Sequence, residues 1–131
     1  MISDNARSVI DDANTMLPSK RREDSTAVEE KAALLLLIQA KLAQERRVLE
    51  QALLKAVSLE KAEFASAFSS CMAKTVGEKS ILTDAEPTVL VAKENVSEAK
   101  SDIAYLSACM DIYKNAHLLY RQMLRNEDNG V

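Results

Sequence analysis

The feature that most constrains the fold is a heptad repeat over residues 87–125. Every seventh residue from Val89 forms one mostly apolar series, and a second series starts three places later at Ala92. These are the a and d positions of a helix that packs against another helix, here sustained over about five heptads. We name the following residues the helix seam: Val89, Val96, Ile103, Leu106, Met110, Tyr113 and Tyr120.

The residues beside the seam are mostly basic. The e positions of the heptads are Lys93, Lys100, Ser107, Lys114 and Arg121, which we call the e edge. In coiled coils, charged e positions meet opposite charges on a partner helix. The e edge therefore predicts contact with an acidic partner helix or with an anion.

Composition indicates an all-α fold. The chain has 131 residues with two Gly, two Pro and no Trp, which leaves few places for strands and turns. The net charge is −3 and the pI about 5.2, so the whole chain is not a polycation for nucleic acid. Residues 27–74, however, carry seven Lys or Arg against six Asp or Glu, which leaves room for a local basic surface.

The spacing of apolar residues, Pro and Gly predicts a single all-helical domain. Its segments are a short helix (1–17), a linker (18–26), a long helix (27–73), a turn (74–86) and the heptad helix (87–125). A helix of about 45 residues is about 68 Å long, so the two long helices should form an elongated antiparallel hairpin. Thr26 with Glu29 predicts a capping box for the first long helix. Asp84, or Thr83 with Glu86, predicts the cap of the second, with Pro87 in its first turn.

The first long helix has more apolar surface than one partner helix covers. Its main stripe is Leu35, Ile38, Leu42, Leu49, Leu53, Val57, Phe64 and Phe68. Leu34, Leu36 and Leu37 lie outside that stripe. One chain with two long helices covers two faces poorly, so the sequence predicts a helical homo-oligomer.

No catalytic or metal-binding motif is present, and we expect neither an enzyme nor a cofactor. The single histidine, His117, lies at an a position without Cys or carboxylate neighbours one turn away, which favours a buried, hydrogen-bonded role. Cys71 and Cys109 lie among apolar residues and read as reduced core thiols. Tyr105, with the seam tyrosines, has the ring that base stacking needs, although a d-position tyrosine is more often core.

The sequence predicts a cytoplasmic protein. Its N-terminal residues carry Asp4, Asp11 and Asp12 and no long apolar run, unlike a signal peptide. The apolar run Leu34 to Ile38 is far shorter than the roughly 20 residues of a membrane span. Lys20, Arg21 and Arg22 in the linker suggest either a phosphate contact or, since two acids follow them, a solvated loop.

The second half of the chain resembles the UvsY-type recombination mediators of tailed phages. The resemblance covers about residues 76–125 as a pattern of short turn, acidic residue, Val-Leu step and heptad helix ending in basic residues. The matching positions are 85–90 (AEPTVL), 106–107 (LS), 110–111 (MD), Lys114, Arg121 and Arg125.

The resemblance implies a ring-like homo-oligomer that binds single-stranded DNA and helps a RecA-like recombinase displace the single-strand-binding protein, in the host cytoplasm if a phage encodes it. In that family, DNA contacts centre on a basic, aromatic-containing segment of the long helix. The corresponding stretch here, 59–64, keeps Lys61 and Phe64 but adds Glu60 and Glu63. Candidate DNA-binding residues are therefore Arg46, Arg47, Lys55, Lys61, Phe64, Lys114, Arg121 and Arg125.

Two other functions fit the same pattern. A helical adaptor or secretion-type chaperone would bind the amphipathic helix of another protein through the seam. A purely structural coiled-coil oligomer would bind no ligand. The acidic total favours a protein partner, whereas the e edge and Arg46-Arg47 favour DNA.

Overall fold

A computed structural model describes residues 1–19 and 23–128, and all of its regular secondary structure is helical. The helices are α1 (Asp4–Asn14), α2 (Ser25–Ser70), α3 (Val76–Asp84) and α4 (Pro87–Asp128). The predicted all-α fold with two long helices and a short N-terminal helix is confirmed. Lys20, Arg21 and Arg22 of the predicted linker lie outside the described residues.

The first long helix begins earlier than predicted. The Asp24 carboxylate accepts the Ala27 N–H at 2.7 Å, and the Asp24 carbonyl accepts the Val28 N–H at 3.1 Å. Asp24 is therefore the cap, and the predicted capping box of Thr26 and Glu29 was wrong. Asp caps a helix at least as well as Thr, and it stands two residues earlier in the chain.

The predicted turn at 74–86 contains a helix of its own, α3. The Thr75 hydroxyl accepts the Glu78 N–H at 3.1 Å, so T-x-x-E at 75–78 marks the start of α3. Gly77 lies in its first turn, where nothing comes within 4 Å of an added Cβ. The turn prediction gave too much weight to this glycine, since glycine weakens a helix by only about 1 kcal/mol.

The start of α4 also differs from the prediction in its cap. The Glu86 carbonyl accepts the Leu90 N–H at 2.9 Å, which makes Pro87 the first helical residue, as predicted. Asp84 is the last residue of α3, and it accepts a hydrogen bond from Lys93 Nζ at 2.8 Å. The predicted caps Asp84 and Thr83 were therefore wrong, and Thr83 is instead buried.

Contacts divide the chain into two compact units, described separately below. Unit 1 is Met1 with Val48–Ile103, and unit 2 is the described part of Ile2–Arg47 with Ala104–Val131. Both long helices contribute residues to each unit.

Unit 2 is built from three packed helices. Arg46 contacts Ser107, and His117 contacts Ala32, so α2 and α4 run antiparallel here. Helix α1 packs against both and buries Ala6, Ile10 and Ala13. The buried residues of the other two helices are Val28, Ala32, Leu35, Ile38 and Leu42 of α2, and Leu106, Cys109, Tyr113, Ala116 and Tyr120 of α4.

Two tyrosines of α4 form hydrogen bonds that hold α1 and the residues after it against α4. The Tyr113 hydroxyl donates to Asn14 Oδ1 at 2.9 Å, and the Tyr120 hydroxyl donates to the Met16 carbonyl at 2.7 Å. Both side chains are 1% exposed. The buried rings supply apolar contact. Asn14 at the end of α1 and Met16 just after it accept the hydrogen bonds of the two hydroxyls.

The buried stripe of α4 shifts along the helix. In unit 1 it follows a and d positions, with Val89, Ala92 and Val96 buried. In unit 2 it includes Cys109 and Ala116, which are g positions, while Ile103 of unit 1 and Met110 of unit 2 are half-buried. A straight α-helix drifts about 20° per heptad against a 3.5-residue repeat, and the drift here brings the stripe toward α1.

Unit 1 covers its apolar residues less completely. No residue of α2 between 48 and 70 is buried; Leu49, Leu53, Val57, Phe64 and Phe68 of the predicted stripe are half-buried. Leu54 is 69% exposed and Leu59 is 51% exposed. The third helix of unit 1 is α3, which contacts α2 through Lys79 and Phe68 and α4 through Asp84 and Lys93 but buries only Thr83.

Replacing Leu106 by Ala should lower the free energy of unfolding by about 2–5 kcal/mol, because Leu106 is fully buried and the change leaves a cavity. Urea unfolding measures this. The control is Leu118→Ala on the same helix, where the side chain is 54% exposed and the change should stay within about 0.5 kcal/mol. Equal effects of the two substitutions would contradict the assigned core.

Stability should fall in alkali partly through Tyr113. Burial raises the pKa of its phenol to about 12, whereas an unfolded tyrosine titrates near about 10. Between these values the unfolded chain has lost the proton that the folded chain keeps, so the free energy of unfolding declines as pH rises. Urea unfolding across this range should show a shallower decline for Tyr113→Phe than for the wild type. Parallel declines would mean that the phenol ionises without unfolding.

Candidate nucleic-acid interface

Five of the predicted DNA-binding residues lie in unit 2, two of them on α2 and three on α4. Arg46 Nη1 donates to Ser107 Oγ at 3.4 Å, which places Arg46 beside the e edge. Arg47 follows Leu36 by eleven residues, about three helical turns, and so shares its side of α2. Lys114 and Arg121 continue the e edge along α4.

Arg121 and Arg125 line an open cleft of unit 2 between the first turns of α2 and the last turns of α4. The cleft is also lined by Ser25, Glu29 and Leu36 of α2 and by His117 of α4, and we call it the His117 cleft. We define the basic face of unit 2 as Arg46, Arg47, Lys114, Arg121 and Arg125.

Most cations of the basic face keep their charge available. Arg47, Lys114, Arg121 and Arg125 are exposed, and none of them forms an ion pair with residues 1–19 or 23–127. Arg46 is half-buried and hydrogen-bonded. Four exposed cations of one unit can bind an extended polyanion without first breaking an ion pair to those residues.

Other cations of the chain already form ion pairs with carboxylates. Lys31 Nζ pairs with the Glu23 carboxylate, and this hydrogen bond raises the pKa of Lys31. Lys93, at the start of the e edge, pairs with Asp84 at 2.8 Å, which likewise raises its pKa. The Met1 amino group contacts Asp102 at 2.5 Å and Glu98 at 3.3 Å. Within the e edge, Lys93 is therefore already in an ion pair, whereas the exposed Lys114 and Arg121 remain available to a ligand.

His117 contacts the backbone of α2 rather than the apolar core alone. Its Nδ1 lies 2.7 Å from the Ala32 carbonyl oxygen, and its ring is half-buried at the wall of the His117 cleft. The predicted hydrogen bond is present, but the ring is accessible on its cleft side. The signal that sequence reasoning missed is the spacing of His117, Arg121 and Arg125 at four-residue intervals, which stacks them along one side of α4.

The remaining predicted DNA-binding residues lie in unit 1. Lys55 and Lys61 are exposed on α2. The Phe64 ring is half-buried and stacks on Phe68, with the ring centroids 6.0 Å apart. Lys79 Nζ lies 5.0 Å from the centroid of the Phe68 ring. Phe64 therefore belongs to a cluster of its own unit and presents less ring surface for stacking on a base.

The three tyrosines differ in whether their rings are accessible to a base. Tyr113 and Tyr120 are buried and hydrogen-bonded to the α1 segment, so neither ring is open to a base. Tyr105 is 53% exposed and lines a shallow cleft of unit 2 with Arg7 and Asp11. It is the accessible tyrosine of the three.

The described residues offer no grouping of three or more His, Cys, Asp or Glu that could hold a metal ion. Cys109 is buried, Cys71 is half-buried, and both are free thiols. Within 1–19 and 23–128, no helix combines the length and apolar character needed to cross a bilayer.

Comparison with known proteins finds no family model, no curated protein and no solved structure that matches this chain.

Proposed function

We propose that the chain is a non-enzymatic, oligomeric recombination mediator that binds single-stranded DNA through the basic face of unit 2. The observation that carries the proposal is the set of four exposed cations, Arg47, Lys114, Arg121 and Arg125, without ion pairs to residues 1–19 or 23–127. Help in loading a RecA-like recombinase rests on the resemblance to UvsY-type mediators alone.

The arrangement suits the backbone of a nucleic acid better than its bases. Arg121 and Arg125 line the His117 cleft, and the tyrosines that precede Lys114 and Arg121 in sequence, Tyr113 and Tyr120, are buried. Contacts made by cations to phosphates supply affinity without reading sequence. Binding should therefore be largely independent of sequence and should weaken steeply with salt.

Self-association through unit 1 is the second part of the proposal. Leu59 and Val91 are 51% and 55% exposed, and they line one apolar groove with Pro87, Thr88 and Asn95. We propose that a second copy of the chain occupies this groove. In unit 1, the apolar residues of α2 that face α4 are only half-buried, and Leu54 and Leu59 beside them are exposed, so a further helix would cover them. A sister copy supplies an apolar helix of matching length.

The same groove favours one alternative function. A helical adaptor would hold an amphipathic helix of another protein on the exposed apolar residues of unit 1. The adaptor predicts a monomer that becomes a heteromer, whereas the mediator predicts a homo-oligomer. A purely structural oligomer would share the homo-oligomer but would bind no DNA.

The triple variant Arg47→Ala, Lys114→Ala, Arg121→Ala should bind labelled single-stranded DNA more weakly and with a flatter salt dependence. Each lost phosphate contact lowers the slope of log affinity against log salt by about 0.7, so the slope should fall by about 2. Fluorescence anisotropy at several salt concentrations measures both quantities.

The matched control is Lys41→Ala, which removes an exposed cation from α2 one turn before Glu45, on the side that contacts α1. Its slope should equal that of the wild type. Wild-type protein that fails to bind at low salt would end the DNA proposal. A triple variant with an unchanged slope would exclude the basic face as the footprint.

Light scattering of the wild type should return the mass of two or more chains of 14.4 kDa each. Val91→Glu should shift that mass toward the single chain, because it puts a charge into the apolar groove of unit 1. Ser97→Glu adds the same charge to an exposed position of α4 outside this groove and should leave the mass unchanged. A wild-type mass of one chain would contradict self-association.

A further inference from the structure

The protonation of His117 follows from its partner. The Ala32 carbonyl oxygen, 2.7 Å from Nδ1, can accept a hydrogen bond but cannot donate one. Nδ1 therefore carries a proton and donates it, and the titratable position of the ring is Nε2. Neutral His117 has a bare Nε2, while protonated His117 has a second N–H donor and a positive charge.

The cleft offers two more donors on the same side of α4. Arg121 and Arg125 follow His117 by one and two turns, and a four-residue step along a helix rises about 6 Å. Both arginines are exposed and form no ion pair with residues 1–19 or 23–127. Their planar guanidinium groups bind the oxygens of tetrahedral anions through paired N–H donors.

The start of α2 adds a favourable field. Ser25, the first residue of this 46-residue helix, lines the cleft, and the positive end of the helix dipole stabilises anions nearby. This is a supporting effect, since the Asp24 carboxylate already accepts the Ala27 N–H there.

We propose that the His117 cleft binds a tetrahedral oxyanion between Arg121 and Arg125, with protonated His117 as a third donor, so that binding tightens as pH falls. The identification of that oxyanion as a backbone phosphate of single-stranded DNA rests on the proposed function. The oxyanion site itself is independent of it.

Several charged groups face the same space. From α2, the Glu29 carboxylate lines the cleft, and from α4, Glu127, Arg121 and Arg125 do so. The Glu23 carboxylate is paired with Lys31, and the Tyr120 hydroxyl donates to Met16. A bound anion adds negative charge beside the ring, which stabilises the protonated form of His117.

Sulfate is the probe that separates the anion from the pH effect, because its charge stays at −2 between about pH 5.5 and 8, where histidine titrates. His117 is the single histidine of the sequence, so its imidazole signals in an NMR titration need no assignment. Sulfate should raise the midpoint of that titration. A rise of about half a pH unit corresponds to about threefold tighter binding by the protonated form.

Two variants separate the roles. His117→Gln should retain weak sulfate binding, followed by the backbone amide signals of Arg121 and Arg125, and should lose its pH dependence. Arg121→Gln with Arg125→Gln should abolish the sulfate-induced rise at His117, whereas Lys41→Gln should preserve it. A sulfate-independent midpoint in the wild type, or a pH dependence retained in His117→Gln, would overturn the inference.

A third arm uses a single-stranded oligonucleotide without terminal phosphates, whose phosphodiesters do not titrate in this range. Wild-type binding should tighten from about pH 8 to 6, and His117→Gln should bind equally at both, because it lacks the titrating donor. DNA binding without a pH-dependent contribution from His117 would overturn the identification of the oxyanion as a DNA phosphate and leave the proposed function standing. Sulfate binding with no DNA binding would overturn the proposed function and leave the oxyanion site standing.

Discussion

The arrangement of unit 2 depends on two buried phenols that need hydrogen-bond acceptors. Tyr113 and Tyr120 each bury a large apolar ring, and a hydroxyl left without a partner there would cost about 1–3 kcal/mol. Asn14 and Met16, where α1 ends, supply those acceptors. The tyrosines hold α1 against α4, while Lys114 and Arg121, each one residue further and about 100° around the helix, are left to solvent. The same interaction that completes the core also decides which face of α4 can meet a ligand.

The two units use the same pair of helices in different ways. In unit 2, α1 completes a three-helix packing, and five residues of α2 are buried. In unit 1, Val89, Ala92 and Val96 of α4 are buried, yet their α2 partners are at most half-covered. Unit 2 has the better covered core and carries the basic face, whereas unit 1 has the poorer core and carries an open apolar groove. Exposed cations and exposed apolar side chains occur in both units.

Much of the fold was readable from the sequence, because it depends on local signals. The heptads at Val89 to Tyr120 and the scarcity of glycine predicted two long helices, and Pro87 marked the start of α4. The caps were missed where two acceptable capping residues stood close together, as at Asp24 and Thr26. Helix α3 was missed because the turn prediction depended on Gly77 and did not consider Thr75 with Glu78. The choice between them depends on contacts that lie outside the local window.

The candidate site was predicted residue by residue but not as an arrangement. Heptad positions placed Lys114 and Arg121 on one edge, whereas the pairing of Arg46 with Ser107 required knowledge of how α2 and α4 align. The hydrogen bond of His117 was predicted, but its exposure was not. An a position implies burial and does not show which side of the ring remains accessible. Lys93 shows the opposite limit, because its ion pair with Asp84 depends on the end of a helix that was not foreseen.

The basic end of α4 also has an energetic meaning. Arg121 and Arg125 are like charges one turn apart, an arrangement that destabilises an isolated helix by about 0.2–0.5 kcal/mol. Arg125 lies in the last turn, where the negative end of the helix dipole offsets part of this repulsion, whereas Arg121 lies a turn earlier. A neutral residue at position 121 would remove the repulsion, so the observed pair does not serve the stability of the helix. Natural variation that keeps both arginines would therefore mark a demand on this surface other than folding.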